Sequence, residues 1–439
     1  LSVRDLEKHY PITEGFLSKE VGKVRAVDGI SFDVARGETL GLVGESGCGK
    51  STAASSIIRL EDPTSGEVRF HGETEAFGES SADDQSNDVT EFDDDQIKAF
   101  RRQAQMIFQD PSSSFDPRMT IGESIAEPLR VHGIESKERR RAVVQNLLER
   151  VGLSAGDIDR YPHEFSGGQK QRAALARPLV LNPELIIADE PVAGLDVSIQ
   201  GEILSVIDDI QDEFGLSMVF ISHDMGVIRE VCDRVAVMYL GEIVEIAPTE
   251  ELFSQPQHPY TRALLSSIPT PDPTQRGKGE ELSGDVPSPS DPPSGCRFHT
   301  RCPEIIQPEE YEFQQEHWRA VMDLRERLGK RDIDVEAARQ FAAAEHNDIE
   351  DRGNITDEHV AAVIRQEFDI PETLSDPAAE SVLSEALSYL VSGDVVRADD
   401  LLSDEFETIC ERSPPDYAET EAGHPAACHL HNNSSSADE

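Results

Sequence analysis

The sequence predicts an α/β domain with a mostly parallel core sheet over residues 1–269. Three observations point there. Short apolar runs bounded by Gly or Pro, at Thr39 to Val43, Leu185 to Ala188 and Met218 to Ile221, alternate with helical patterns. The first of these runs leads straight into a glycine-rich turn, Gly44 to Gly49, with a helical pattern behind it. The second ends in two adjacent acids, Asp189 and Glu190.

The turn reads Gly44-Glu45-Ser46-Gly47-Cys48-Gly49-Lys50-Ser51 and fits G-x-x-x-x-G-K-[ST], with Thr52 following. Its glycines let the backbone curl so that N–H groups point at the β- and γ-phosphates of a nucleotide. Lys50 adds a mobile positive charge, and the Ser51 hydroxyl is a ligand for Mg²⁺. Cys48 reads as a small residue of the loop rather than a nucleophile. At the end of the second strand, Asp189 is placed to hold Mg²⁺ through its water shell, and Glu190 to polarise an attacking water. A buried strand with a solvated acidic end is the plainer reading of Asp189 and Glu190, and the neighbouring phosphate loop argues against it.

The remaining elements follow in order. Ser198 to Phe214 places Ile199, Ile203, Val206, Ile207, Ile210 and Phe214 on one helical face, and Gly215 stops the helix. Val235 to Tyr239 and Ile243 to Ile246 flank a Leu240-Gly241 turn and predict a hairpin. Residues 73–95 are acidic and Ser-rich and predict a surface loop insertion. A Pro/Gly/Ser-rich linker covers 270–295. Residues 303–409 are acidic and helical by pattern, with the single tryptophan, Trp318, and a periodic stretch from Ala378 to Leu390; they show no chemistry and predict a small helical insertion. Residues 431–439 predict a disordered tail.

Composition narrows the function classes. Asp and Glu number 86 against 40 Lys and Arg, a formal net charge of −46, and nine of the basic residues are lysine. Such self-repulsion destabilises a compact state in dilute buffer. It is screened when the Debye length falls to about 3 Å at 1 M salt, so the balance predicts adaptation to a very salty cytoplasm. No basic stripe is visible, which disfavours nucleic acid as a partner. No apolar run reaches the length of a membrane span and no signal-peptide pattern opens the sequence, so a cytosolic chain is expected. Six cysteines are too sparse for a disulfide scaffold.

Four further short motifs appear in order. Phe165-Ser166-Gly167-Gly168-Gln169 precedes Lys170-Gln171-Arg172; Gln109 sits in Met106-Ile107-Phe108-Gln109-Asp110-Pro111; Gly194-Leu195-Asp196 follows the acidic strand; His223 sits in Ile221-Ser222-His223-Asp224. Together with the phosphate loop they resemble the signature, Q-loop, D-loop and switch-histidine motifs of ABC ATPases. The resemblance implies a RecA-like core, an antiparallel β subdomain and a helical signature subdomain. It implies that two subunits sandwich two ATP molecules, the Ser166-Gly167-Gly168-Gln169 turn of one facing the γ-phosphate bound by the other, with Asp196 at that junction. Gln109 would sense the γ-phosphate and Mg²⁺, His223 would bridge the γ-phosphate and the catalytic groups, and Tyr10 stands where the family places an aromatic that stacks on adenine. Two departures stand out: Pro178 replaces the usual alanine, so the helix after the signature is expected to end or kink there, and Ala193 stands where Ser or Thr is common.

Two more stretches resemble the oligopeptide/dipeptide importer branch: Asp110 to Thr120, with Asp116 in place of the usual Asn, and His258-Pro259-Tyr260-Thr261-Arg262-Ala263-Leu264-Leu265. Gly295-Cys296 to Cys302-Pro303 and Gly423-His424 to Cys428-His429-Leu430 resemble the branch's C-terminal region, with four cysteines, Cys296, Cys302, Cys410 and Cys428. The resemblance stops at Pro303 and resumes at Cys410. It implies an importer ATPase at the cytoplasmic face of the membrane, paired with a related but different ATPase chain, docked on two permease subunits and served indirectly by an extracytoplasmic binding protein. Peptides are the expected cargo; nickel, glutathione and oligosaccharides remain open, as does a non-transport ABC ATPase. Four thiolates suffice for a [4Fe–4S] cluster, with zinc the alternative and reduced thiols the plainest reading.

Overall fold

In this computed structural model the described residues are 1–15, 19–72, 87–110, 115–268, 284–345 and 356–434. They belong to two compact units: Leu1–Arg276 with Ser288–Asp291 and Glu419–Ala426, and Gly277–Pro287 with Pro292–Ala418 and Ala427–Glu439.

In the first unit, β1 (Ser2–Glu14) and β2 (Lys19–Asp33) form a long antiparallel pair in which Tyr10 lies opposite Val24. Strand β3 (Thr39–Val43) starts the core sheet, whereas β4 (Ser65–Arg69) returns to β1, giving a three-stranded antiparallel sheet. The core sheet continues with β5 (Ala104–Ile107), β6 (Leu185–Asp189), β7 (Ser217–Ile221), β8 (Arg234–Tyr239) and β9 (Glu242–Pro248). Its order is β9-β8-β3-β7-β6-β5, parallel except for β9. All five residues of β3 and of β6 are buried, which is why both read as unbroken apolar runs rather than alternating ones. The β8–β9 turn has positive φ at both Leu240 (43°) and Gly241 (86°), the conformation of a two-residue hairpin. Leucine is strained there. Burial of its side chain and the Gly241 N–H bond to Cys48 O at 2.9 Å hold it.

Nine helices of this unit are α1 (Lys50–Ile57), α2 (Asp94–Gln103), α3 (Ile121–Val131), α4 (Lys137–Arg150), α5 (Gly167–Leu179), α6 (Val197–Phe214), α7 (Met225–Val231), α8 (Thr249–Ser254) and α9 (Pro259–Ser266). Gly215 caps α6 in the left-handed region, as the sequence leads one to expect. Pro178 lies in the last turn of α5, which ends one residue later, as expected. The expected surface loop 73–95 needs correction. Residues 73–86 lie outside the described residues, but Val89 and Phe92 are buried, and Phe92 packs edge-on against Phe100 at 6.2 Å. Two of the acids there are caps: Asp88 accepts the Thr90 N–H, and Asp93 forms a reciprocal capping box with Gln96 that starts α2.

The second unit is helical. Its elements are α10 (Gln315–Gly329), α11 (Val335–Glu345), α12 (Asp357–Glu367), α13 (Pro377–Ser392), α14 (Val395–Glu405) and α15 (Ile409–Arg412). Trp318 is fully buried and meets Phe313 and Phe406 edge-on at 5.7 and 5.6 Å. Helix α13 contains the periodic stretch read from sequence and buries Ala379, Leu383, Ala386, Leu387, Leu390 and Val391. Arg365, itself buried, pairs with Glu380 at 2.5 Å.

After this unit come β10 (Tyr417–Glu419) and β11 (Pro425–Ala427). Ala426 pairs antiparallel with Glu245 of β9, so the chain returns to the core sheet. Of the stretch from 431 expected to be disordered, residues up to Ser434 belong to the 3₁₀ turn His429–Ser434, and 435–439 lie outside the described residues. Among the described residues no helix is long and apolar enough to cross a membrane.

Candidate functional site

The phosphate loop joins β3 to α1. Gly44, Gly47 and Gly49 take positive φ of 153°, 83° and 109°. A methyl on Gly49 would lie 1.9 Å from Ala26 O, and one on Gly44 2.1 Å from Met238 O; glycine alone fits both positions. Lys50 is buried and donates to Gly44 O at 2.7 Å and Glu45 O at 2.9 Å. Its charge therefore rests on loop carbonyls, within reach of phosphate oxygens that would replace them. The free N–H groups at the start of α1 add positive potential.

Ser51 Oγ donates to Asp189 Oδ1 at 3.1 Å. Asp189 is buried, and that burial raises its carboxyl above the ordinary carboxylate value; Glu190 adds to the rise, while the Ser51 hydroxyl and Lys50 oppose it. A hydroxyl and a carboxylate short of positive charge form a hard oxygen donor set, which fits Mg²⁺.

Glu190 is the next residue, held at φ 48° by its N–H bond to Ile221 O at 2.9 Å. A left-handed glutamate is strained, and here the strain turns its side chain toward two partners. Gln109 Nε2 donates to Oε2 at 2.9 Å, and His223 Nδ1 lies 3.0 Å from Oε1. Three residues read from three separate motifs thus meet on one carboxylate. They come from the ends of β5, β6 and β7, neighbours in the sheet.

The signature turn opens α5. Ser166 caps it by accepting the Gln169 N–H at 3.3 Å, while Gln169 Oε1 accepts the Ser166 N–H at 3.0 Å. Ser166 and Gly167 are exposed, so this helix start is open to an anion carried by another molecule; Gly168 is buried against Ile199. Asp196 caps α6, and the Ser198 hydroxyl and the Ile199 N–H hold its carboxyl below the ordinary value. Beside it Val197 is 84% exposed, an apolar side chain left uncovered next to the D-loop. The Tyr10 hydroxyl is bonded to Glu61 and to Thr52 at the start of α1, and Lys8 covers one ring face at 5.1 Å from the centroid. Stacking on a base would use the other face.

One residue touching the loop escaped the sequence reading of its role. Tyr260 Oη accepts the Glu45 N–H at 2.9 Å from 215 residues away. The sequence marked His258 to Leu265 only as a closing helix.

The four cysteines of the C-terminal region all lie in the second unit. Cys302, Cys410 and Cys428 are buried and Cys296 half-buried. The Cys296 N–H donates to Cys410 O at 2.8 Å, and Gly295, at φ 63°, lets the two segments approach: a methyl there would lie 2.4 Å from Cys410 O. Burial pushes the Cys302 thiol well up, with Cys296, Cys428 and Cys410 close enough to add to the effect. Arg319 braces this loop, donating to His299 O at 3.1 Å and Cys302 O at 3.3 Å. Among the described residues the candidate ligand group with donor atoms all within 4.8 Å is Glu7, His9 and Asp28, not a set of cysteines. Cys48 and Cys232 are buried elsewhere, in the phosphate loop and after α7.

Comparison with known proteins matches residues 27–193 to the ABC transporter family and 244–307 to the oligopeptide/dipeptide transporter C-terminal region. Residues 315–423 match a domain of unknown function. The oligopeptide transport ATP-binding protein AppF of Bacillus subtilis is 48% identical over 306 residues, covering 69% of this chain and 89% of that protein. The dipeptide transport ATP-binding protein DppF of Haemophilus influenzae is 46% identical over 303 residues, covering 69% and 88%. A putative peptide import ATP-binding protein of Brucella ovis is 49% identical, covering 70% and 90%. With the phosphate loop, the Ser51–Asp189 pair and the Gln109–Glu190–His223 group all in place, the chain belongs to the ATP-binding, ATP-hydrolysing subunits of the oligopeptide/dipeptide ABC transporter family.

Proposed function

We propose that the chain powers uptake of oligopeptides or dipeptides, working as one half of a pair with a related but different ATPase chain on two permease subunits at the cytoplasmic face of the membrane. The observation that carries the catalytic part is the convergence of Gln109 and His223 on Glu190, next to Ser51 and Asp189. The peptide part is supported by the names of the relatives. The site contacts no cargo, so nickel, glutathione or oligosaccharide would leave its chemistry unchanged.

The residues divide the work as follows. Loop N–H groups and Lys50 hold the β- and γ-phosphates. Ser51 and Asp189 would hold Mg²⁺, which when bound neutralises developing phosphate charge. Glu190 orients and polarises the attacking water, and His223 and Gln109 fix the carboxylate that does so. The exposed Ser166–Gly167 turn completes the site of a second ATPase chain. A groove of about 240 Å³ is lined by Leu60, Met106, Phe108, Pro128 and Pro178, and we assign it to a permease segment. Phe108 is 48% exposed there, so a docked segment would lie one residue from the γ-phosphate sensor.

The four gathered cysteines support a [4Fe–4S] cluster as a structural or redox-regulatory group. A tetrahedral zinc is the alternative for four thiolates. Iron and sulfide analysis after anaerobic purification tests it, and absence of both sinks it. The net charge of −46 supports a protein built for high salt, which predicts that its thermal stability rises steeply with KCl.

The uptake reading is tested by replacing the cellular copy with Glu190→Gln and following labelled di- and oligopeptides at high salt. Selective loss of peptide uptake is expected. Unchanged peptide uptake with loss of nickel, glutathione or sugar uptake would reassign the cargo.

A further inference from the structure

Within the first unit a buried chain of hydrogen bonds leads from the returning C-terminal segment to the phosphate loop. His424 Nε2 lies 2.9 Å from Glu245 Oε1 on β9, and Glu251 Oε2 lies 3.8 Å from the other ring nitrogen. Glu245 also accepts the backbone N–H of Gln257 at 2.8 Å and of His258 at 2.9 Å. His258 Nδ1 caps α9 by accepting the Tyr260 N–H at 3.1 Å. Tyr260 Oη accepts the Glu45 N–H. His424, Glu245, His258 and Tyr260 are 2%, 0%, 1% and 0% exposed, so bulk water cannot replace a lost link.

The last link has a specific effect. The Glu45 N–H and the Gly44 carbonyl belong to one peptide plane. Tyr260 takes the N–H end, and Lys50 Nζ sits on the carbonyl end at 2.7 Å. A planar peptide held at one end is oriented at the other. The Tyr260 ring is itself fixed against Tyr239, centroids 4.6 Å apart. The hydroxyl therefore sets where the lysine charge waits for phosphate.

We propose that Tyr260 is a positioning residue for nucleotide binding, and that His424, through Glu245 and His258, ties the setting of the Gly44–Glu45 peptide to the C-terminal segment. The nucleotide site is then completed by residues that the chain supplies only after the helical insertion. The idea rests on the phosphate loop binding ATP, and mant-ATP binding by the unmodified full chain checks that premise separately.

Tyr260→Phe keeps the ring and removes the hydroxyl. With full chain and Mg²⁺, the mant-ATP Kd and the ATPase KM are expected to rise about threefold to tenfold, the scale of one hydrogen bond, with kcat within twofold. His424→Ala, which touches no part of the loop, is expected to raise Kd in the same direction. The double variant should bind no more weakly than Tyr260→Phe alone, because both act along one path. His424→Gln, whose amide can still donate to Glu245, should restore most of the affinity. Unchanged Kd in Tyr260→Phe, or a fall in kcat at unchanged Kd and KM, overturns the role of Tyr260. Additive losses, or a lower Tm with unchanged Kd in His424→Ala, overturn the tie to the C-terminal segment.

Discussion

The two units of this chain are built on opposite terms. In the first, side chains are chosen for what they do to a phosphate, and the fold holds several of them at a cost: a left-handed Glu190, a left-handed Leu240 and a lysine buried against carbonyls. In the second, the side chains at the centre are chosen for packing. Trp318 sits between two phenylalanines, α13 turns six apolar residues inward, and the buried Arg365 is paired locally with half-buried Glu380. Left-handed non-glycine residues occur in the second unit too, at Arg331 and Asp369, but there they follow the ends of α10 and α12 and touch no site chemistry. The contrast can be broken by substitutions that have one kind of effect in one unit and another kind in the other.

The largest effect is expected at the base. Glu190→Gln should lower the single-turnover rate of ATP hydrolysis by about 10²- to 10⁴-fold while leaving mant-ATP affinity within a few fold. Turnover at the unmodified rate would remove Glu190 from the mechanism. Trp318→Ala should do the reverse. It opens a cavity in the helical unit worth about 3–5 kcal/mol, read as a lowered first transition in calorimetry, with ATPase KM unchanged. A matching rise in KM would show that the packing unit serves the chemical one.

Glu380 sharpens the comparison by pH. Burial alone would raise its carboxyl, but the Ser384 hydroxyl, the Leu374 N–H and Arg365 outweigh burial and hold it below the ordinary glutamate value. A depressed acid stabilises the fold above its unfolded-state value and loses that contribution as pH falls through the folded one. Glu380→Gln should therefore cost about 2 kcal/mol at pH 7, and the difference from the parent chain should shrink as pH drops below 4.5. A gap that stays constant to pH 3 would remove the ion pair from the account. The smallest effect is expected at Asp116, where a neighbouring arginine holds the carboxyl down to about 2. Asp116→Asn should leave Tm and ATPase rate nearly unchanged, because the pair is exposed and solvent screens it.

The same contrast explains what could be read from residues alone. The phosphate loop, the acids closing β6 and the residues meeting on Glu190 were legible because phosphate chemistry admits few residue types at few spacings. Their meeting point needed the sheet, which sets β5, β6 and β7 side by side. Tyr260 was not legible as a loop contact, since nothing local links it to Glu45. Residues 87–95 misled because acid content hid Val89 and Phe92, whose spacing of three places both inward. The helical unit was legible as helices through the periodicity of α13, and its packing partners were not, since any of several faces could have met Trp318. The choice of the four cysteines followed from resemblance, and their burial from the coordinates.

The chain leaves the first unit at Asp291 and rejoins it at Glu419, and β11 then pairs with β9. A ribosome delivers residues in order, so the sheet that binds ATP waits with an open edge while more than a hundred residues of helical protein emerge and fold. An unpaired strand edge is a template for wrong partners. Glu245 stands on that edge, and its partner His424 is supplied only when the closing strand arrives. Only after the helical insertion has been made is the nucleotide-binding unit closed, in time as well as in space.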